Sequence, residues 1–473
     1  MMFPARLWMF VFLVFFAWGC AAPQVPSSPR ELTFAPLEFH VPEVERLTLA
    51  NGLRLYVQED HELPLVELTV MIGAGSIGDA PELVGRTDLY AALLRSGGAG
   101  ERDPAALDEF LDMRAANLSA AADTYAVTLS MSLRSDDLEE GLELLADVLR
   151  RPHFDPARLE VARRQALEGI RRQNDDPGNL ARRVLARSLY GEHPLGRSAT
   201  VATVNAIARE DLKAFHRTHV HPNNLWVGIS GDFDRDRLLA LLDAHFGGWP
   251  RADLDPQAIP PLESVDAPQT WVVPRNLPQT SILLGEIGID KDNPDQYAVR
   301  VMNYLLGGGG FNSRLMREIR SNRGLAYSVY SFYQVGRHLP GLFIAGSETR
   351  TNAVLEVVGI KREIMTQMRE LPVSEADLTL ARESLINSFV FGFTDKHDVV
   401  AMTMRLDFYD YPADYLQAYR DRVAQVSAAD VQRAARRYLN PEGQMLVLVG
   451  DVEAVAAELA AQGLRVKEFS LEY

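Results

Sequence analysis

A single cysteine in 473 residues excludes an intrachain disulfide and any zinc site built on thiolates. Long apolar runs are nearly absent as well. The N-terminal stretch from Leu7 to Gly19 holds thirteen uncharged, mostly apolar residues, short of the ~20 that cross a bilayer as a helix, and no later stretch comes nearer. Basic residues are in deficit: Lys plus Arg total 48 against 64 Asp plus Glu, for a net charge of −16. Such a surface repels phosphate backbones and argues against nucleic acid as a partner. What remains is a globular balance, 47% apolar and 24% charged, which excludes wholesale disorder. The length accommodates two to four domains at roughly 100–200 residues each.

The front of the chain reads as an address. Arg6 precedes the apolar run, and Cys20 follows it directly, behind Ala17-Trp18-Gly19. Residues 1–20 thereby resemble a bacterial lipoprotein signal, which implies acylation of Cys20. Ala and Trp stand where that pattern prefers Leu and a small residue. The alternative is plain cleavage after Ala22, releasing a soluble periplasmic protein. Residues 21–40, rich in Pro and Ser, read as a tether. The expectation is an exported, periplasmic protein, lipid-anchored to the outer membrane and touching the membrane through that anchor only.

Five prolines from Pro250 to Pro268 divide the body into halves of nearly equal size: residues 41–250, a linker at 251–267, and 268–473. An internal comparison supports the cut. Asp211-Leu212 through Pro222 to Gly231-Asp232 matches Asp430-Val431 through Pro441 to Gly450-Asp451 at a constant offset of 219. Within the first half, Asn51-Gly52 flanked by alternating residues predicts a hairpin over Leu47 to Val57. Val66 to Ile72 and Thr124 to Leu133 read as strands. Helices are expected at Pro81–Arg95, Pro104–Ala116, 136–150, 155–174 and 177–190. The second half runs similarly, with strands at 270–273, 280–287, 325–335 and 341–348. Strands early and helices late in each half predict an α+β fold: two mainly antiparallel sheets, each with helices packed on one face.

Gly73-Ala74-Gly75-Ser76, then Gly85 and Gly97-Gly98, together with Asn51-Gly52-Leu53 and Pro222-Asn223-Asn224, resemble the insulinase/pitrilysin zinc peptidases, in their short, processing-peptidase-like branch. Family members carry His-x-x-Glu-His between such glycines: two histidines one helical turn apart hold zinc and the Glu takes a proton from the bound water. Counted from Gly85, those positions fall on Asp88, Ala91 and Ala92. Glu168, 76 residues after Ala92, stands where the family has its third ligand. Two carboxylates with no imidazole and no general base would bind zinc weakly and activate no water. This chain is therefore expected to carry no metal and no catalytic residue.

The second half offers a different match. Arg320 and Tyr327, seven positions apart in Leu315–Ser328, resemble the family's Arg…Gly-Leu-Ala-Tyr signature, whose Arg and Tyr reach substrate at the zinc centre. A guanidinium and a phenol can both donate to a peptide carbonyl and stabilise developing negative charge. On residues alone, Arg320 is one more solvated base in a run with Arg314, Arg317 and Arg323; the matched register favours substrate contact.

Other motifs carry blander readings. His216, His219 and His221 have Ala435, Tyr438 and Asn440 as counterparts in the repeat, so a helix end packed beneath a strand explains them. His193, His245, His338 and His397 stand alone. Gly307–Gly310 lacks the Gly-Lys-Ser/Thr ending of a phosphate loop and follows a helix, so it reads as a cap and turn. Arg163-Arg164 and Arg171-Arg172, near Glu160 and Glu168, read as a solvated helix face.

Taken together, the resemblance implies half of a clamshell: the non-catalytic subunit of a heterodimeric zinc peptidase. Its partner would be a homologous subunit with an intact His-x-x-Glu-His, and zinc would belong to that partner. Substrates would be unfolded peptides. Two alternatives stand: a peptide-binding or assembly scaffold of the same fold without hydrolysis, and residual activity of the isolated chain, which the alanines disfavour.

Overall fold

A computed structural model describes residues 40–263, 268–461 and 466–469. The signal, Cys20 and the tether up to residue 39 lie outside the described residues, as does 264–267 of the linker. The first half builds a sheet from β1 (Glu45–Thr48), β2 (Arg54–Glu59), β3 (Leu65–Ile72), β4 (Asn117–Ala122), β5 (Val127–Arg134) and β6 (Leu225–Gly231), ordered β1-β2-β6-β3-β5-β4. The second half builds β7 (Thr270–Pro274), β8 (Thr280–Ile287), β9 (Ala326–Tyr333), β10 (Leu342–Thr349), β11 (Met445–Gly450) and β12 (Val466–Glu468), ordered β12-β7-β11-β8-β10-β9. Antiparallel pairing dominates both. The parallel exceptions are β2–β6 in the first sheet, with β7–β11 and β7–β12 in the second.

The helices of the first half are α1 (Arg86–Ser96), α2 (Pro104–Met113), α3 (Leu138–Arg150), α4 (Pro156–Arg172), α5 (Pro177–Tyr190), α6 (Val201–Ala206), α7 (Arg209–His219) and α8 (Arg235–Leu242). Those of the second are α9 (Gln296–Asn303), α10 (Val354–Glu370), α11 (Glu375–Phe389), α12 (Lys396–Phe408), α13 (Tyr415–Ala424), α14 (Ala428–Tyr438) and α15 (Glu453–Ala461). Local chemistry sets several starts. Asp103-Pro104, Asp155-Pro156 and Asp176-Pro177 each place a carboxylate that accepts from the backbone N–H three residues on, with Pro in the first turn. The hairpin forms as expected. Gly52 adopts φ +91°, and the Asn51 side chain donates to Phe246 O at 2.7 Å and Trp249 O at 3.1 Å.

The helices do not keep to one face. On each sheet the inner face packs against its own half, but the outer face receives a helix from the other half. Leu180, Val184, Leu185 and Leu189 of α5 pack with Val273, Leu283, Ile344 and Val447 of the second sheet. Val399, Val400 and Met404 of α12 pack with Tyr56 and Met71 of the first and with Ala126 just before its β5. These helices are themselves repeat equivalents, since Pro177 and Lys396 lie 219 residues apart. Close approach needs glycine beneath both: a Cβ on Gly285 would sit 2.4 Å from Leu185, and one on Gly228 2.8 Å from Val400. Each fully buried Leu of α5 contributes about 1.5–3 kcal/mol, so the exchange ties the halves together, and Val41–Tyr473 forms one compact unit. It also explains why β8 and β11 read as continuous apolar runs, being covered on both faces.

Candidate functional site

Helix α1 starts from a buried carboxylate. Asp79, 4% exposed, accepts from Gly85 N at 3.3 Å, Thr87 N at 3.2 Å and Thr87 Oγ1 at 2.6 Å, and Arg86 lies 3.1 Å away. Gly85, at φ +98°, allows the chain to turn into the helix. The apolar face of α1, with Leu89, Tyr90, Leu93 and Leu94, is buried. Asp88 is exposed, but neighbouring protein and then Asp79 raise its carboxyl pKa. Ala91 is buried in the core and Ala92 partly buried.

Glu168 lies on α4, where Arg172 holds its carboxylate at 2.7 Å and Arg171 at 3.5 Å. Among the described residues no three His, Cys, Asp or Glu side chains gather as metal ligands would. A zinc ion needs three or four such donors. These positions supply two methyl groups, one carboxylate whose charged neighbour is another carboxylate, and one already paired with arginine. The residues do not fit the metal.

The histidines at the end of α7 serve packing. His216 Nδ1 and the Tyr90 hydroxyl are 2.9 Å apart, and burial pushes the His216 pKa down to about 4. His219 packs against Phe215 at 4.7 Å between centroids; burial and then Arg86 bring it to about 4. His221 Nε2 lies 2.8 Å from Arg217 O. His397 bridges the halves instead: its Nε2 is 2.8 Å from Thr69 Oγ1 and its Nδ1 2.8 Å from Ser230 Oγ.

In the second half, Arg320 and Tyr327 come together. Arg320 lies in a π-helical segment, Met316–Asn322, and Gly324 at φ +60° turns the chain into β9. Pairing between β9 and β10 shifts register between Ser347 and Thr349. The bulge leaves Tyr327 and Ser328 both exposed, which aims the phenol outward. The Arg320 guanidinium then sits 4.1 Å from the Tyr327 ring centroid and 4.8 Å from that of Phe311. Phe311, 66% exposed, was not singled out by the motif. Its signal was an aromatic directly after the glycine run, where Gly310 at φ +55° turns the backbone. With two rings near Arg320, its N–H edge remains to donate. Arg323 is occupied by Glu318 at 2.7 Å and Glu356 at 3.2 Å. Among the described residues Arg320 has no carboxylate partner.

Comparison with known proteins follows the two halves. The family model described as insulinase (peptidase family M16) matches residues 54–203, and the one described as peptidase M16 inactive domain matches residues 206–385. A protein of Streptomyces coelicolor, named an uncharacterized zinc protease, is 27% identical, with 89% of this chain and 92% of its own length aligned. A non-peptidase homolog of Helicobacter pylori is 28% identical over 70% of this chain and 76% of its own. The crystal structure of a peptidase M16 inactive domain from Pseudomonas fluorescens superposes with a TM-score of 0.75 at 27% identity, covering 86% of this chain and 98% of that one.

Proposed function

Because the chain belongs to the insulinase (peptidase M16) family, we propose that it is the non-catalytic subunit of a heterodimeric zinc metallopeptidase, contacting substrate through Arg320 and Tyr327. The observation that carries this reading is the asymmetry between two sites. The helix that would hold zinc carries Asp88, Ala91 and Ala92, while Arg320 and Tyr327 lie side by side with the phenol exposed. In this reading the zinc belongs to a homologous partner with an intact His-x-x-Glu-His. Arg320 and Tyr327 donate to the carbonyl of an unfolded peptide lying at that metal, orienting it and stabilising charge as it develops. Among the described residues β9 is an edge strand, and its free edge, beginning at Ala326 beside Tyr327, suits an extended peptide.

Export and lipid anchoring at Cys20 belong to the same proposal. Mass spectrometry of the mature chain finding an unmodified Cys20 thiol, or cleavage after Ala22, would remove the anchor and leave the rest standing. A binding or assembly scaffold is the second reading, favoured by the name of the Helicobacter pylori relative. The deciding experiment mixes this chain with a zinc-bearing homologue and follows cleavage of a quenched unfolded peptide. Arg320→Ala is expected to slow the mixture about a hundredfold, the scale of losing a transition-state hydrogen-bond donor. Unchanged rates in Arg320→Ala and Tyr327→Phe would overturn the contact.

A further inference from the structure

Where α5 crosses the outer face of the second sheet it leaves a cavity of ≈ 450 Å³, within the size range of small-molecule sites. Its apolar wall includes Leu185, Ile344 and Phe332. Phe332 is paired across the strands with Ile344, yet is 55% exposed. The polar wall is of one sign: Arg182, Arg183 and Arg197 line it, and no acidic residue does.

In a chain of net charge −16, these arginines have no carboxylate partner among the described residues. Arg182 donates to Tyr330 Oη at 3.0 Å and Asn179 Oδ1 at 3.2 Å. Arg197 donates to the backbone carbonyls of Glu192 at 2.8 Å and Asp79 at 3.5 Å. Arg183 donates to Asn174, and its Nε is buried without any acceptor. Burial lowers the pKa of that guanidinium. Arg183 is only partly buried, so part of its guanidinium faces the pocket without a counter-charge, and an anion there would supply one. Arg183 and Arg197 also line an adjoining cavity of ≈ 280 Å³, where Glu192 is already taken by Arg187.

We propose that this pocket binds a fatty carboxylate, its head group on Arg183 and Arg197 and its chain against Leu185, Phe332 and Ile344. The carboxylate supplies the counter-charge that both guanidinium groups lack among the described residues, and the chain covers the exposed Phe332; a head group or an aliphatic chain alone does only half of this. Neither Arg320 nor Tyr327 lines this pocket.

The test uses the full chain and dodecanoate below its micelle concentration, followed by calorimetry, with acetate and dodecyl maltoside as probes of head and tail alone. Saturable binding of dodecanoate is expected at about one per chain, with both controls at least about tenfold weaker, the scale of one charge-assisted hydrogen bond. Arg183→Met should weaken binding by a similar factor. Ile344→Trp, which fills the cavity while leaving the arginines, should do the same and serves if Arg183→Met fails to fold. Arg320→Met should change nothing. Equal binding of dodecyl maltoside would reduce the pocket to an apolar surface and overturn the proposal. So would dodecanoate affinity that survives in a folded Arg183→Met or Ile344→Trp variant.

Discussion

Leu142 in α3 and Lys361 in α10 lie 219 residues apart, and both are fully exposed to no solvent at all. The leucine joins the apolar core of the first half. The lysine donates to Ala345 O at 3.1 Å, and burial brings its pKa down to about 7. The same contrast recurs elsewhere. Gly178 of α5 corresponds to His397 of α12, which reaches two hydroxyls of the opposite sheet. Helix α1 of the first half carries Ala91 and Ala92, and the second half sets Arg320 beside two exposed aromatic rings. A duplicated architecture constrains packing volume and helix placement, while leaving each copy free to place charge differently.

The sharpest way to break the contrast is to return donors to α1. Asp88→His with Ala92→His would supply, together with Glu168, the donor types of a His₂Glu set. Zinc content by plasma emission should rise from none to about one equivalent per chain. If it does not, the pairing of Glu168 with Arg171 and Arg172 dominates the site.

Next in size is the helix exchange. Leu185→Ala and Met404→Ala should each cost about 2–5 kcal/mol, as buried large-to-small changes do. Each should lower the thermal stability of the whole body, since each joins both halves. A loss confined to one half would contradict the mutual bracing.

Lys361→Met tests the buried charge. A lysine pKa lowered from 10.5 to about 7 means that the unfolded chain takes up its proton first as pH falls. The wild-type chain therefore loses stability between about pH 10.5 and pH 7, by roughly 1 kcal/mol per pH unit from this group. The variant should be more stable at pH 7 and lack that part of the slope in denaturant titrations.

The smallest effect belongs to His397. Burial lowers its pKa, while Asp395 and Asp398 oppose the shift. The neutral ring is thus favoured in the fold, and its contribution fades as pH falls below the ordinary value of 6.5. Glu67, raised by burial and by the same two aspartates, acts in the opposite sense, favouring the fold at lower pH. Comparing melting at pH 8 and pH 5.5, His397→Gln should shrink the acid-side loss by less than about 1 kcal/mol.

Much of this was legible in advance. The Asn51-Gly52 turn and the apolar strands β3, β8 and β10 follow from turn chemistry and hydrophobic pattern. β4 was missed: Asn117-Leu118-Ser119-Ala120-Ala121-Ala122 is an edge strand of small residues with low β propensity. The reciprocal packing of α5 and α12 was also missed, because an amphipathic pattern shows that a face is buried and not which sheet buries it. The spacing of Arg320 and Tyr327 drew attention to the pair. The bulge that turns the phenol outward and the approach of Phe311 depend on strand register and a glycine turn, neither visible in the spacing.

Residue order alone determined which positions can carry which chemistry: methyl groups at 91 and 92 cannot donate electrons to a cation, wherever the chain places them. It also determined the duplication, since the offset is a property of the string. Folding decided the company those residues keep. Lys361 without water and His397 between two hydroxyls of the opposite sheet arise from contacts between segments apart in the chain, where burial and neighbouring charge outweigh local preference.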